Sequence, residues 1–235
     1  KRFDPIYEDA VDQIRSFGDF SYFNSYMSQP KSQLDTFKAW AGISSDISYY
    51  LNAHHIDLLV WALEDIATPI SVMATASTGV AKKVLKREVE DTITLTVQWK
   101  NIKSENLGTS IHTASWIAPK SDVHSQQRFF YMGHSGEINI DQAHRGYTLS
   151  SDTVGFKSAN PLFMKYTPRE GKFVGQEAYG YKSISTFIQS AKALTAKKLT
   201  LKELNHLPTI ANTLVTTKIL EAGRVSLDQN SITLL

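Results

Sequence analysis

Apolar residues at helical spacing open the chain. The stretch "DPIYEDAVDQIRSFG" has Asp4 as a suitable N-cap, Pro5 at the first helical position and Gly18 after the end. The apolar positions that recur on one face of this predicted helix are Ile6, Ala10, Val11, Ile14 and Phe17.

Helical patterns return in four later stretches. "SQLDTFKAWAG" predicts a short helix or an ordered loop, and "SDISYYLNAHHIDLLVWALED" predicts a longer helix with an irregular start. The buried stripe of that longer helix is predicted to be Ile56, Leu59, Val60 and Leu63. "YKSISTFIQSAKAL" and "LPTIANTLVTTKILEAG" predict the last two helices, the second with Pro208 near its start and Gly223 as its C-cap.

Between these helices the pattern is that of strands. "FSYFNSYMSQ" alternates early in the chain, and "PISVMATAST", "DTITLTVQWKN" and "GTSIHTASWIA" are rich in β-branched and aromatic residues. "QRFFYMGHSGEINID" predicts two strands around a turn from Gly133 to Gly136, and "RGYTLSS" predicts another. The Gly- and Pro-rich stretch from 155 to 180 predicts a long loop, a length that hints at a functional role.

Strands followed by helices predict an α+β domain in which helices pack on one face of a mainly antiparallel sheet. We find no internal repeat and no low-complexity linker in the 235 residues. Trp40, Trp61, Phe129, Phe130 and Tyr131 are expected in the core or on a sheet face. An open sheet with aromatic residues on its bare face should be covered by a partner.

Composition narrows the classes of function. The net charge of +2 is too small to favour nucleic acid as a partner, and the densest basic stretch, "KKVLKR", predicts a solvated turn or helix end. The absence of cysteine excludes disulfides, thiolate zinc sites and a cysteine nucleophile, and it agrees with a reducing, cytoplasmic location. No apolar run is long enough to span a bilayer, so no membrane is expected. The chain starts with Lys rather than Met, which we interpret as an internal start.

Several nucleotide and metal motifs are absent. There is no G-x-G-x-x-G after a strand, no P-loop and no G-x-S-x-G, so the chain alone should bind no dinucleotide tightly. His54 and His55 are adjacent and point about 100° apart on a helix, so they cannot easily share a metal. No metal site is predicted.

Three motifs in order resemble the Gfo/Idh/MocA family of NAD(P)-dependent oxidoreductases. These are "RFDP" running into a helix that ends in Gly, the H-x-x-D of "HHIDLLVW", and the Gly-x-x-Gly turn of "MGHSGEINID". The last helix, with its small residues and following Gly, is similar too, and "SYYLNAHHID" most resembles a eukaryotic, fungal branch. The resemblance implies an open mixed sheet that forms the C-terminal domain of such an enzyme. Residues 1–18 would leave a Rossmann domain that lies upstream, and 19–235 would form the substrate-binding and oligomerisation domain.

The resemblance also implies site residues. His54 takes the position of the family's catalytic histidine and Asp57 that of its second aspartate, while the first aspartate falls on Tyr50. In the family a lysine, an aspartate and a histidine position a substrate hydroxyl and remove its proton. Tyr50 could donate a hydrogen bond or relay a proton, although a pKa near ~10 makes it a poor base. Asn52 could orient a hydroxyl, and Asp57 either contacts substrate or bonds a nearby group. His55 points to another helix face and is expected to pack.

Two further groups are candidates for substrate contact. His144 and Arg145 lie in "DQAHRGY" after a strand, where Arg145 could bind a carboxylate or phosphate or form an ordinary ion pair. Lys165 and Tyr166 lie in the long loop, where ligand contacts are common.

The function implied is that of a substrate-binding and dimerisation domain. The parent enzyme would use NAD or NADP on a secondary alcohol of a sugar, cyclitol or related polyol, and the chain alone would bind no cofactor. A homodimer through the open sheet face is expected. The alternatives are a sugar-sensing or regulatory relative without turnover, which Tyr50 in place of the aspartate favours, and a dimeric scaffold.

Overall fold

The computed structural model describes residues 1–120, 126–142, 147–151, 155–159, 179–204 and 207–235. The first helix, α1, spans Pro5–Ile14, and Asp4 caps it as predicted by accepting a hydrogen bond from the backbone N–H of Ile6. One predicted apolar position is wrong, because Ile6 is 41% exposed and Tyr7 is fully buried in its place. The buried edge of α1 therefore carries a hydroxyl, which contributes to the site described below.

A seven-stranded mixed sheet forms the centre of the fold. Its strands are β1 (Phe20–Pro30), β2 (Ala67–Thr78), β3 (Glu90–Asn101), β4 (Leu107–Ala118), β5 (Gln126–Gly133), β6 (Glu137–Asp141) and β9 (Thr233–Leu234). They lie in the order β6-β5-β1-β4-β3-β2-β9, and every neighbouring pair is antiparallel except β1 with β4. The predicted mainly antiparallel sheet and the turn between Gly133 and Gly136 are confirmed.

Two strands correct the sequence prediction. A separate hairpin pairs β7 (Tyr147–Ser151) with β8 (Gly155–Ala159), and β8 lies in the stretch that was predicted to be a loop. The two-residue β9 at the end of the chain was not predicted either. A pair of residues is too short to show any alternation, so only its contact with Ser71 and Val72 of β2 defines it as a strand.

Five other helices follow in the described part of the chain. They are α2 (Leu34–Phe37), α3 (Ala53–Ala62), α4 (Val80–Leu85), α5 (Tyr179–Thr195) and α6 (Ile210–Gln229). Helix α6 packs on β2 and on α3. Gly223 was predicted to end α6 but lies inside it. A Cβ at this position would come 2.7 Å from Leu95 of β3, so glycine allows α6 to pack closely on the sheet. The actual C-cap is Asn230, in the left-handed conformation.

The two faces of the sheet differ in burial. Phe23, Leu95, Trp99, Phe129 and Tyr131 are buried against the helices, together with His112. The opposite face, called the open face here, consists of strand residues that are half-buried or exposed. Its members include Tyr22, Asn24, Tyr26, Met73, Thr94, Thr96, Ile111, Thr113, Arg128, Phe130 and Met132.

Within the described part of the chain, no helix is both long enough and apolar enough to cross a bilayer.

Candidate active site around His54

Helix α3 begins with a π-helical turn. Residues Ser48–Asn52 form this turn, and the N–H of Ala53 reaches back to the carbonyl of Ser48, five residues earlier. The irregular start predicted from the sequence is therefore a wider turn rather than a frayed end. Such turns are found frequently at functional sites, because they reset which side chains the following helix presents.

The two adjacent histidines at the start of α3 have different environments. His54 is exposed, whereas His55 is fully buried, as their separation of about 100° around a helix requires. Desolvation and then the positive charge of Lys1 lower the pKa of His54 below its ordinary value of 6.5, while Asp57 opposes this shift. Desolvation lowers the pKa of the buried His55 as well. The prediction that His55 packs is confirmed, and His54 is the histidine that a ligand can reach.

A chain of buried polar groups lies behind His55. Its Nε2 is 3.4 Å from the hydroxyl of Tyr7, which donates to Oε1 of Gln142 at 3.1 Å. Gln142 in turn donates through Nε2 to Asp4 at 3.2 Å. Nδ1 of His55 has no hydrogen-bond partner among the described residues. This chain fixes the start of α3 relative to the start of α1 and the end of β6.

Lys1 places a positive charge beside this chain. Its Nζ donates to Oε1 of Gln142 at 2.7 Å and to Oε1 of Gln127, and it lies 5.0 Å from the centre of the Tyr7 ring. Sequence reasoning missed Lys1, Tyr7, Gln127 and Gln142. The "KRFDP" and "DQAHRGY" segments were singled out, but the first was interpreted as a helix start and a family motif and the second only for His144 and Arg145.

Asp57 lies one helical turn beyond His54, and its carboxylate accepts hydrogen bonds from Arg2 and Thr216. Arg2 donates to it from Nε at 2.9 Å and from Nη2 at 2.7 Å, and Thr216 of α6 donates at 3.3 Å. Of the two alternatives for Asp57, the structure shows the bond to a nearby group. Its carboxylate still acts on His54, because it opposes the lowering of the histidine's pKa.

Tyr50 and Asn52 lie in the π-helical turn but in different surroundings. Asn52 is buried, and its amide donates to the hydroxyl of Ser48 at 3.0 Å and to the carbonyl of Ile93 at 3.5 Å. Tyr50 is 37% exposed and contacts the rings of Phe37 and Trp40. The structure thus places Tyr50 on the surface near His54 and uses the amide of Asn52 for packing, which leaves substrate binding by Asn52 without geometric support.

The remaining predicted residues, His144, Arg145, Lys165 and Tyr166, lie outside the described residues. Within the described ranges, no group of three or more histidine and carboxylate side chains could hold a metal ion. The groups that lie together along α3 are therefore His54 and Asp57, with Tyr50 one turn before His54, while Lys1 acts on His54 only through its charge. A neutral imidazole that is open to solvent can accept a proton from a hydroxyl.

Comparisons with known proteins support the fold. No family model matches the sequence, and no curated protein does. Among solved structures, myo-inositol 2-dehydrogenase from Lactobacillus plantarum aligns with a TM-score of 0.67 and 18% identity over 100% of this chain. Scyllo-inositol dehydrogenase from Lactobacillus casei with bound NAD(H) and scyllo-inositol aligns with 0.65 and 16% over 99%. GenD2 from gentamicin A biosynthesis in complex with NAD aligns with 0.67 and 16% over 100%.

Identities of 16–18% show the fold alone. The open-sheet α+β fold that the resemblance to Gfo/Idh/MocA oxidoreductases implied is confirmed over the whole chain. The chain spans 62% of the Lactobacillus plantarum enzyme, 62% of the scyllo-inositol dehydrogenase and 61% of GenD2. About three fifths of each of these solved structures therefore corresponds to the chain described here.

Proposed function

We propose that this chain is the substrate-binding and dimerisation part of an NAD(P)-dependent oxidoreductase. The parent enzyme would act on a secondary alcohol of a sugar, a cyclitol or a related polyol. The observation that carries the proposal is the placement of His54, exposed just after a π-helical turn and one helical turn before Asp57, on a fold shared with inositol dehydrogenases. Residues 1–18 would connect this part to a Rossmann domain in the longer protein.

The residues of this chain do not fit a dinucleotide. The sequence has no G-x-G-x-x-G turn between a strand and a helix, which is the arrangement that binds a pyrophosphate. We therefore assign NAD or NADP to the proposed Rossmann domain and derive only what this chain contributes. His54 would accept the proton of the substrate hydroxyl during oxidation and return it during reduction. The positive charge of Lys1 and the negative charge of Asp57 would act in opposite directions on the proton affinity of the His54 imidazole.

Desolvation lowers the pKa of His54 to about 4, which keeps the imidazole unprotonated at neutral pH but makes it a weaker base than a histidine whose pKa lies near ~7. A base must be unprotonated before it can accept a proton, and a histidine whose pKa lies below 6.5 is neutral throughout the neutral range. The buried chain through His55, Tyr7 and Gln142 would position the helix that carries His54. His144, Arg145, Lys165 and Tyr166 stay proposed substrate contacts from the sequence.

The open face supports the proposed homodimer. Six strands of 5–12 residues, at about 4.8 Å spacing and about 3.3 Å per residue, present a surface of roughly 950 Å², comparable with the ~800 Å² that each partner buries in a stable interface. Phe130, Ile111 and Met73 lie in one row across this face, linked by the register of neighbouring strands. We propose that a second copy covers it. The absence of cysteine agrees with our proposal of a cytoplasmic enzyme.

The test uses the full-length protein with NAD or NADP and a panel of sugars and cyclitols. His54→Ala should lower turnover of the best substrate by at least ~100-fold, the usual contribution of a general base. The matched control is His134→Ala, since His134 is exposed on the turn between β5 and β6. Equal turnover in His54→Ala and the unmodified protein would contradict the assignment.

A second candidate is a sugar-sensing relative without turnover. Tyr50 favours it, because an aromatic side chain stands where the family has an aspartate and packs against Phe37 and Trp40. Binding of a dinucleotide by the full-length protein, with no reduction by any member of the panel, would favour this candidate over the enzyme.

A further inference from the structure

An aromatic cluster lies beside the start of α3. Its members are Phe37 and Trp40 from the α2 segment, Tyr50 from the π-helical turn and Trp116 from β4. The centre of the Tyr50 ring lies 4.9 Å from the centre of the Phe37 ring and 5.5 Å from that of Trp40. The ring centres of Trp116 and Trp40 are 5.9 Å apart.

The cluster has a buried base and an open top. Trp116 is fully buried and Phe37 is 7% exposed, whereas Trp40 is half-buried and Tyr50 is 37% exposed. Indole Nε1 of Trp116 donates to the carbonyl of Glu90 at 2.7 Å, which holds the base of the cluster in place. Two aromatic side chains are thus presented to solvent on a rigid support, with little side-chain entropy left to lose when a ligand binds.

The open top of the cluster lies next to His54. Tyr50 precedes His54 by four residues where the π-helical turn leads into α3, so the two residues lie about one helical turn apart. One six-membered sugar ring could therefore stack on Tyr50 while one of its hydroxyls contacts His54. Trp61 cannot serve in the same way, because Arg2 and Arg15 both lie against its ring, at 5.6 and 5.7 Å.

We propose that Tyr50 and Trp40 form a stacking platform that binds the flat C–H face of a pyranoside ring beside His54. A pyranoside with equatorial hydroxyls has axial C–H bonds on both faces, and these bonds match the negative face of an aromatic ring. This inference rests on the proposed function, since it names the class of substrate for the same site. It makes Tyr50 a residue that selects ring substrates over open-chain polyols.

The binding test needs no cofactor and no turnover. The 235-residue chain is labelled with ¹⁵N, and its four tryptophan indole N–H signals are followed while methyl β-D-glucopyranoside is added. The expected result is a saturable shift confined to the Trp40 signal, which is assigned with Trp40→Phe. The buried Trp99 and Trp116 serve as internal references. Sorbitol carries similar hydroxyls without a rigid ring and should leave the Trp40 signal unchanged.

Variants separate stacking from folding. Tyr50→Leu should weaken binding of the glucoside by roughly five-fold or more, whereas Tyr50→Phe should keep most of it, because the ring and not the hydroxyl makes the contact. Tyr181→Leu is the matched control, since Tyr181 is 56% exposed on α5. A Trp40 signal that does not move, or that moves equally with sorbitol, overturns the platform. So does equal affinity of Tyr50→Leu and the unmodified chain.

The platform and the proposed function can fail separately. If the glucoside binds as expected but the full-length protein transfers no hydride, the platform stands and the enzyme proposal falls. If turnover depends on His54 but the ratio of kcat/KM values for glucoside and sorbitol is the same in Tyr50→Leu, the enzyme stands and the platform falls.

Discussion

Arg2 binds Asp57 through two parallel hydrogen bonds, from Nε at 2.9 Å and from Nη2 at 2.7 Å. This pair joins the first residues of the chain to the helix that carries His54. Both side chains are largely removed from water, at 6% and 22% exposure. A charge left without its partner in such surroundings is costly, in contrast to a charge at the surface.

Asp57→Asn should therefore lower the free energy of unfolding by about 3 kcal/mol, because it leaves the buried guanidinium of Arg2 unpaired. Urea unfolding followed by tryptophan fluorescence measures this loss. The control is Glu88→Gln, which breaks the exposed pair with Lys82 and should cost at most ~0.5 kcal/mol. A loss below ~1 kcal/mol for Asp57→Asn would contradict the structural role of this pair.

His112 should make the fold sensitive to acid. It is fully buried between the hydroxyls of Ser25 and Ser110, and desolvation lowers its pKa to about 3. Below pH 6.5 the unfolded chain binds a proton at this residue and the folded chain does not, so stability is lost as the pH falls. The loss for one such histidine between pH 7 and pH 5 is about 2 kcal/mol.

His112→Gln, which does not titrate, should remove that part of the pH dependence. The measurement compares free energies of unfolding at pH 7 and pH 5 for the variant and the unmodified chain. His134→Gln changes an exposed histidine and should keep the original dependence. An unchanged difference between the two pH values in His112→Gln would refute this explanation.

Gly223 is required by the contact between α6 and β3. Replacement of a helical glycine by alanine normally stabilises a helix by up to ~1 kcal/mol. Here the new Cβ would lie 2.7 Å and 3.0 Å from the two terminal carbons of Leu95, so Gly223→Ala should destabilise by about 1–2 kcal/mol. Thermal unfolding measures the change.

Two further variants test this explanation. Gly180→Ala in α5, where no described residue lies within 4 Å of the added Cβ, should stabilise instead. Leu95→Ala in the Gly223→Ala background should cost less than Leu95→Ala alone, because the small side chain leaves room for the new Cβ. Additive effects of the two substitutions would mean that no steric contact connects them.

The open face should determine the oligomeric state. Phe130→Glu places a charge in the row of side chains that also holds Ile111 and Met73, so it should convert a dimer into a monomer that keeps its fold. Sedimentation velocity at micromolar concentrations, with circular dichroism as the check of folding, measures this. Leu201→Glu, at an apolar residue 78% exposed outside the sheet, is the control and should stay dimeric. A monomeric unmodified chain would contradict the proposed interface.

Periodicity predicted the elements whose pattern is local. The strand alternation of β3 and the capped start of α1 were correct because each depends on neighbours in sequence. The opposite environments of His54 and His55 followed from helix geometry alone. In contrast, the hydrogen bond from Tyr7 to Gln142 joins residues 135 positions apart, and no local sequence pattern predicts such a contact. The burial of Asn52 likewise depends on Ile93, which lies on another element.

The parallel pairing of β1 with β4 has a consequence for the order in which the chain folds. Tyr22 of β1 pairs with Thr109 of β4, and on the other side Phe23 pairs with Tyr131 of β5. The first strand therefore has no partner in the sheet until the chain has been synthesised 87 residues beyond Tyr22. Strands β2, β3 and β4 can pair in succession as hairpins, but β1 must enter later between β4 and β5. Such distant pairing slows folding, and it keeps the aromatic residues of β1 exposed on the nascent chain.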